Sequence, residues 1–268
     1  MESFFNELKS TLFSNNNYPI ILIHSSLIAS VKAGKKKIPY RLLQEILSLS
    51  RSGITFAFPS YTFTFCSSQI FDVNSTKSET GILADLVHTN LPGSIRSVEA
   101  IYSHVFIGPF SKELASIHSK TTFGEGSIFE RFEQLNAFVG VLNIGWEYAT
   151  IFHRYEELAR VPYRYYKEFK GISRGYDGHN LCTKVKMYVR NLDINPQNDM
   201  NLALPSLREC KSFKRFKDNS NILELIEIDD LRKVTLSMLK DDEWSLVKNK
   251  TSARQKLFQI QVRQSCLL

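Results

Sequence analysis

Apolar and polar positions along the chain follow two different periods, and the switches between them mark out an α/β succession. Phe4, Phe5, Leu8 and Leu12 fall on one face of a helix over residues 2–13. Tyr18–His24 (Y-P-I-I-L-I-H) and Gly53–Phe58 are apolar runs of strand length. Between them, Pro39–Arg51 sets Leu42, Leu43, Ile46 and Leu47 at helical spacing with proline near the first turn. Ser103–Gly108 predicts another short strand, and Gly81–Thr89, Phe110–His118 and Ile128–Leu135 predict helices. Leu91-Pro92-Gly93 reads as a turn, and 72–80 and 121–127 read as loops. Ala137–Gly145 is a buried strand ending in glycine. Leu181–Val189 alternates in the manner of a half-buried strand, and Asp229–Lys248 returns to helical period through Leu231, Val234, Met238 and Leu239. No repeat, low-complexity segment or linker interrupts this order. The expectation is one α/β domain over 1–268, with its motifs in about 18–170 and a basic, mixed portion at 171–268.

Composition narrows the class. The chain has 268 residues, 43% of them apolar, enough for a sizeable core. No apolar run approaches membrane-spanning length. The first residues, M-E-S-F-F-N-E-L-K, are acidic and amphipathic, unlike a signal peptide. The four cysteines (Cys66, Cys182, Cys210 and Cys266) lie far apart without a C-x-x-C pair, which suits a reducing compartment and argues against a zinc ribbon. A soluble, cytoplasmic protein is expected. Residues 1–150 carry 12 basic and 12 acidic side chains and residues 151–268 carry 22 and 15, so the net charge of +7 sits entirely in the second part. Such a bias fits an anionic or phosphorylated small molecule, or a merely soluble basic surface. The cations are scattered and no nucleic-acid motif accompanies them.

The candidate chemistry centres on Thr150–Glu157, T-I-F-H-R-Y-E-E. Gly145 before it and Val161-Pro162 after it confine it to a short helix, because a residue before proline is pushed out of the helical region. On such a helix Glu156 and Glu157 lie three and four residues from His153, so at least one carboxylate shares a face with the imidazole. A carboxylate-held histidine is a common general base near neutral pH; an exposed helix with an incidental histidine is the other reading. His24-Ser25-Ser26 closes a buried strand where open α/β sheets bind ligands. Those serines either cap a turn or, with a helix start nearby, help hold a phosphate or thioester oxygen. Lys32–Lys37 (K-A-G-K-K-K) is a solvated loop or a phosphate contact. The run Pro59–Phe65 places hydroxyls at another strand exit. Thr121–Ser127 (T-T-F-G-E-G-S) matches neither the P-loop nor the dinucleotide fingerprint. Val161–Gly171 interleaves aromatic and basic residues, as a packed pocket rim or a stacking surface would.

Taken in order, several stretches resemble the aminoglycoside 3-N-acetyltransferase family of acyl-coenzyme A antibiotic acetyltransferases. They are His24-Ser25-Ser26-Leu27, Phe58–Thr62, Thr80-Gly81, Arg96-Ser97 with Ser103 and Gly108, His118 with Phe123-Gly124, and His153–Glu156. F-T-F-C at 63–66, F-D-V-N at 71–74, F-G-E-G-S at 123–127 and V-P-Y-R-Y at 161–165 look closest to members from surface-polysaccharide gene clusters. Where the antibiotic enzymes typically carry His-Pro after the Arg-Ser pair, this chain has Glu99-Ala100. The resemblance implies a mixed sheet core flanked by helices, acetyl-CoA as co-substrate, and no metal. It puts His24, Ser25, Ser26, Arg96, Ser97 and Ser103 near the pantetheine arm and thioester. His153, oriented by Glu156, would take the amine proton, with Tyr61, Thr62, Glu99 and Glu157 towards the acceptor. Oxyanion donors would come from residues 25–26 or 60–62. The implied partners are coenzyme A and an amino sugar, free or nucleotide-linked, in surface-glycan biosynthesis. Nucleic acid and membrane are not implied, and assembly with further copies of the chain stays open. An aminoglycoside acceptor, and with it antibiotic resistance, is one alternative; a catalytically degenerate binding protein of the same fold is another.

Overall fold

The computed structural model describes residues 2–14, 19–27, 37–218 and 221–265, so Lys32–Lys36 and Cys266 lie outside the described residues. The main sheet has seven strands in the order β4-β5-β2-β1-β6-β10-β9: β1 (Ile20–Ser25), β2 (Thr55–Pro59), β4 (Ile95–Arg96), β5 (His104–Ile107), β6 (Phe138–Leu142), β9 (Lys214–Lys217) and β10 (Ile222–Glu227). β1 runs parallel to β2 and β6, and the outer pairs are antiparallel, which makes the sheet mixed. Parallel strands are covered on both faces and therefore read as unbroken apolar runs. Every residue of β2 and β6 is indeed buried.

Alternation along β1 divides the interior in two. Ile21 and Ile23 join the core built with Phe4, Leu8, Ile46 and Leu83, from the helices Glu2–Phe13, Lys37–Arg51 and Ile82–Asn90. Ile20 and Leu22 join the opposite core with Phe129, Phe152, Tyr155 and Leu231, from Ile128–Gln134, Phe152–Leu158 and Ile228–Asp241. The next residue on that second side is His24, which is how a strand residue comes to meet the helix carrying His153.

Several expected bounds shift. The helix expected over Phe110–His118 spans only Ser111–Ala115. The one expected to reach Lys248 stops at Asp241, where extended Asp242 accepts the Trp244 N–H at 2.9 Å and turns the chain towards the helix Lys250–Ser265. The aromatic-basic stretch expected at a pocket rim is largely strand: β7 (Arg164–Arg174) pairs antiparallel with β8 (Asn180–Arg190) and parallel with β3 (Ile70–Asp72) in a second, three-stranded sheet.

Candidate active site

The chain leaves β6 at Leu142 and passes a short turn at Trp146–Tyr148, where the buried Trp146 indole donates to Glu224 at 2.8 Å. It then enters the helix Phe152–Leu158. The Thr150 N–H donates to His24 Nε2 at 3.1 Å, so strand β1 fixes the entry to that helix. Burial pushes the pKa of His24 down to about 3, and the ring stays neutral, as an acceptor at Nε2 must. Phe152 and Tyr155 anchor the inner face, and the left-handed Arg160 (φ 51°) before Val161-Pro162 ends the helical path. Arg154 ties the helix to Glu130 and Glu133 and donates to the Phe123 carbonyl at 2.7 Å.

Of the two candidate carboxylates, Glu156 meets the imidazole: its Oε2 lies 2.6 Å from His153 Nδ1 and 2.8 Å from Arg164 Nε. Its Oε1 accepts from the Tyr163 hydroxyl at 2.8 Å and from Asn198 Nδ2 at 2.6 Å. Burial opposes the charge on Glu156, but Arg164, His153 and these hydrogen bonds outweigh it and hold the carboxyl below its ordinary pKa. Nδ1 stands between Glu156 Oε2, which only accepts, and Arg164 Nη2 2.8 Å away, which only donates, so the carboxylate and the guanidinium favour opposite tautomers of the neutral ring. Nε2 has no hydrogen-bond partner among the described residues. The side chain of His153 is 25% exposed, with the Phe123 ring edge 5.7 Å away. Burial and then the Arg164 guanidinium, whose Nη2 is 2.8 Å from Nδ1, lower its pKa against the opposing pull of Glu156. The arrangement is an imidazole biased towards its neutral form, held between a carboxylate and a guanidinium. Glu157 lies elsewhere: it accepts from the Tyr166 hydroxyl at 3.1 Å beside Gly124, and burial raises its pKa.

The other expected site residues fall into three places. His24, Ser25, Ser26 and Tyr61 line a cavity of about 790 Å³ together with Thr80, Gly81, Tyr148 and Thr150. Gly81 opens the helix Ile82–Asn90 at φ +121°, and a Cβ there would stand 3.2 Å from the Ser25 carbonyl. Glu99 lies against a smaller cavity of about 320 Å³ between residues 98–102 and the hairpin, where burial pushes its carboxyl up to about 8. Arg96, Ser97, Ser103 and Thr62, the first three expected near the donor and the fourth near the acceptor, line neither cavity. Arg96 donates to Ser103 Oγ at 3.1 Å and to the Ser60 carbonyl at 2.8 Å, and its guanidinium covers the Phe71 ring. Ser97 Oγ accepts the His104 N–H at 3.0 Å, and Thr62 Oγ1 donates to the Ala100 carbonyl at 2.7 Å. These are buried polar groups whose hydrogen-bonding capacity is taken up inside the protein.

Sequence reasoning missed Arg164, Tyr163 and Asn198, three of the four groups around Glu156. The first two stand in Val161–Gly171, expected as a pocket rim or a stacking surface and not as partners of Glu156; Asn198 lies 42 residues from Glu156 with no local signal. Among the described residues no group of acidic, histidine or cysteine side chains could hold a metal ion, and no helix is long and apolar enough to cross a membrane.

Known proteins of this shape support one family. The solved aminoglycoside acetyltransferase AAC(3)-IVa, as apoenzyme, superposes with a TM-score of 0.70 at 20% identity, covering 95% of this chain and 96% of its own. AAC-VIa bound to sisomicin gives 0.70 at 14%, covering 90% and 97%. AAC-IIIb in its binary complex with CoASH gives 0.68 at 15%, covering 88% and 96%. No curated protein matches by sequence. The sequence model described as aminoglycoside 3-N-acetyltransferase matches residues 57–240, well over half of the chain. The chain therefore belongs to the aminoglycoside 3-N-acetyltransferase family, the acetyl-CoA-dependent N-acetyltransferases of this fold.

Proposed function

We propose that the protein moves an acetyl group from acetyl-CoA to the amine of an amino sugar, with His153 as general base and Glu156 as the residue that orients it. The observation that carries this is the His153–Glu156 contact beside an Nε2 that no described residue occupies; with the ring proton on Nδ1, facing Glu156, Nε2 is the nitrogen that accepts the amine proton. The amine nitrogen attacks the thioester carbonyl while Nε2 takes its proton. The tetrahedral intermediate then releases coenzyme A thiolate, and the product is an amide. The cavity of about 790 Å³ receives the pantetheine arm: Thr150, one turn before His153, lines it, and so do Ser25, Ser26 and the amino end of the helix Ile82–Asn90. The serine hydroxyls and the first N–H groups of that helix meet the charge that develops on the thioester oxygen. Ser60 and Thr62 are buried, whereas Tyr61 lines the same cavity as Ser25 and Ser26. Holding both substrates beside one base removes much of the entropic barrier, and no acyl-enzyme is needed.

The acceptor is proposed as an amino sugar of surface-glycan biosynthesis, in line with the resemblance of residues 63–66, 71–74, 123–127 and 161–165 to members from such gene clusters. The sisomicin complex of a neighbour favours an aminoglycoside instead. Release of coenzyme A thiol from acetyl-CoA, followed with amino sugars and with gentamicin-like polycations, separates the two. Turnover of amino sugars alone is expected; turnover of the polycations alone would reverse the assignment.

A further inference from the structure

The hairpin β7–β8 carries more positive charge than the His153–Glu156 pair uses. Its register pairs Arg164 with Arg190, Tyr166 with Tyr188 and Glu168 with Lys186, and paired residues of an antiparallel ladder share a face. Arg164 turns to His153 and Glu156, so Arg190 stands beside it on the same rung and the same face. Two rungs on, the Lys186 ammonium lies 4.2 Å from the centre of the Tyr166 ring, and Arg160, just past the helix of His153, brings its charge to the same tyrosine. Arg160, Lys186, Arg190 and Tyr166 are exposed, and among the described residues none of these three cations is in an ion pair.

The neighbouring carboxylates balance only part of this charge. Glu156 is bound to Arg164, Glu168 contacts Lys170 at 3.2 Å, and Glu157, buried against Tyr166, feels the Lys186 and Arg160 charges without an ion pair to either. Excess cations beside a catalytic base repel one another and weaken the base, as Arg164 and Arg190 do to His153. An anion arriving on this face would relieve both effects and strengthen the base at the moment the acceptor binds. A polycationic acceptor would meet like charge.

We propose that the acceptor is a phosphorylated amino sugar, and that Arg160, Lys186 and Arg190 form a subsite at the exposed edge of this face of the hairpin for its phosphate or diphosphate group, with Tyr166 as the floor. This rests on the acyltransferase reading and names the acceptor class for it. The shared chemistry is a phosphate, borne on the sugar itself or within a nucleoside diphosphate.

The test is calorimetric titration at low salt of protein already saturated with coenzyme A, using pyrophosphate, uridine diphosphate and glucosamine phosphate. Saturable binding of at least one beside coenzyme A is expected; the tighter of the last two identifies the source. Lys186→Ala and Arg190→Ala should each weaken that binding roughly tenfold, as loss of a charge-assisted hydrogen bond does, with coenzyme A affinity and circular dichroism unchanged. Lys186→Arg should retain it. No saturable binding of any of the three to the coenzyme A complex overturns the proposal. So does a loss of coenzyme A affinity in the alanine variants, which would assign these cations to the donor's own phosphates. Failure of coenzyme A itself to bind removes the acyltransferase reading and the subsite with it, a result distinct from the other two.

Discussion

Proton transfer from the acceptor amine is assigned to a single imidazole nitrogen, and the residues around it make distinct demands on kinetics. His153→Ala should lower turnover by roughly a hundredfold or more, the usual worth of general-base catalysis. Glu156→Gln should act in the same direction but less steeply, since Tyr163 and Asn198 can still hold the side chain in place. Glu157→Gln, on a carboxyl that does not touch the imidazole, should do less than either in the same thiol-release assay. The pH profile of kcat/KM carries a sign. Activity requires neutral His153, whose pKa is lowered from 6.5, so the acid limb should lie below pH 6.5 and activity should hold above it. Replacing Arg164 with Met removes a depressing cation and should move that limb to higher pH. A limb that stays put would mean that Arg164 does not act on the base.

Elements, more than residues, decide what could be read in advance. The buried runs at 20–23, 56–58 and 138–142 were legible because a parallel strand covered on both faces must be apolar throughout. The helix of His153 was legible from its own bounds, glycine before and proline after. The hairpin was half legible: β8 alternates, whereas β7 interleaves tyrosines and lysines because one of its faces stays in solvent. Arg96, Ser97 and Ser103 were placed near the donor by the family resemblance alone, and their buried hydrogen bonds, such as that from Arg96 to the Ser60 carbonyl, had no local signal in the chain. At the element scale Gly81 is the exacting position. Its φ of +121° is tolerated almost only by glycine, so Gly81→Ala should cost about 1–3 kcal/mol of stability in urea unfolding. It should also weaken acetyl-CoA binding, since the displaced helix start lines the donor cavity. A variant with wild-type donor affinity would detach that helix from the donor site.

Among the described residues the main sheet carries two buried histidines, His24 on β1 and His104 on β5. Burial drives the pKa of both His24 and His104 down to about 3. Because their folded-state values are depressed below 6.5, each contributes stability that is present above that pH and is lost as pH falls towards 3. The urea midpoint should therefore decline steadily between those limits, and a flat midpoint across them would show that the two rings are not held neutral by the fold. In the proposed reading, the cavity at the exit of β1 takes the donor and a face of the hairpin takes the acceptor, with His153 between them. The most direct test of that arrangement measures two quantities on one variant. Acetyl-CoA affinity by calorimetry and amino-sugar-dependent thiol release are followed for wild type and His153→Ala. Unchanged donor affinity with turnover reduced roughly a hundredfold or more is the predicted result. Wild-type turnover by His153→Ala would contradict the assignment of that imidazole as the base.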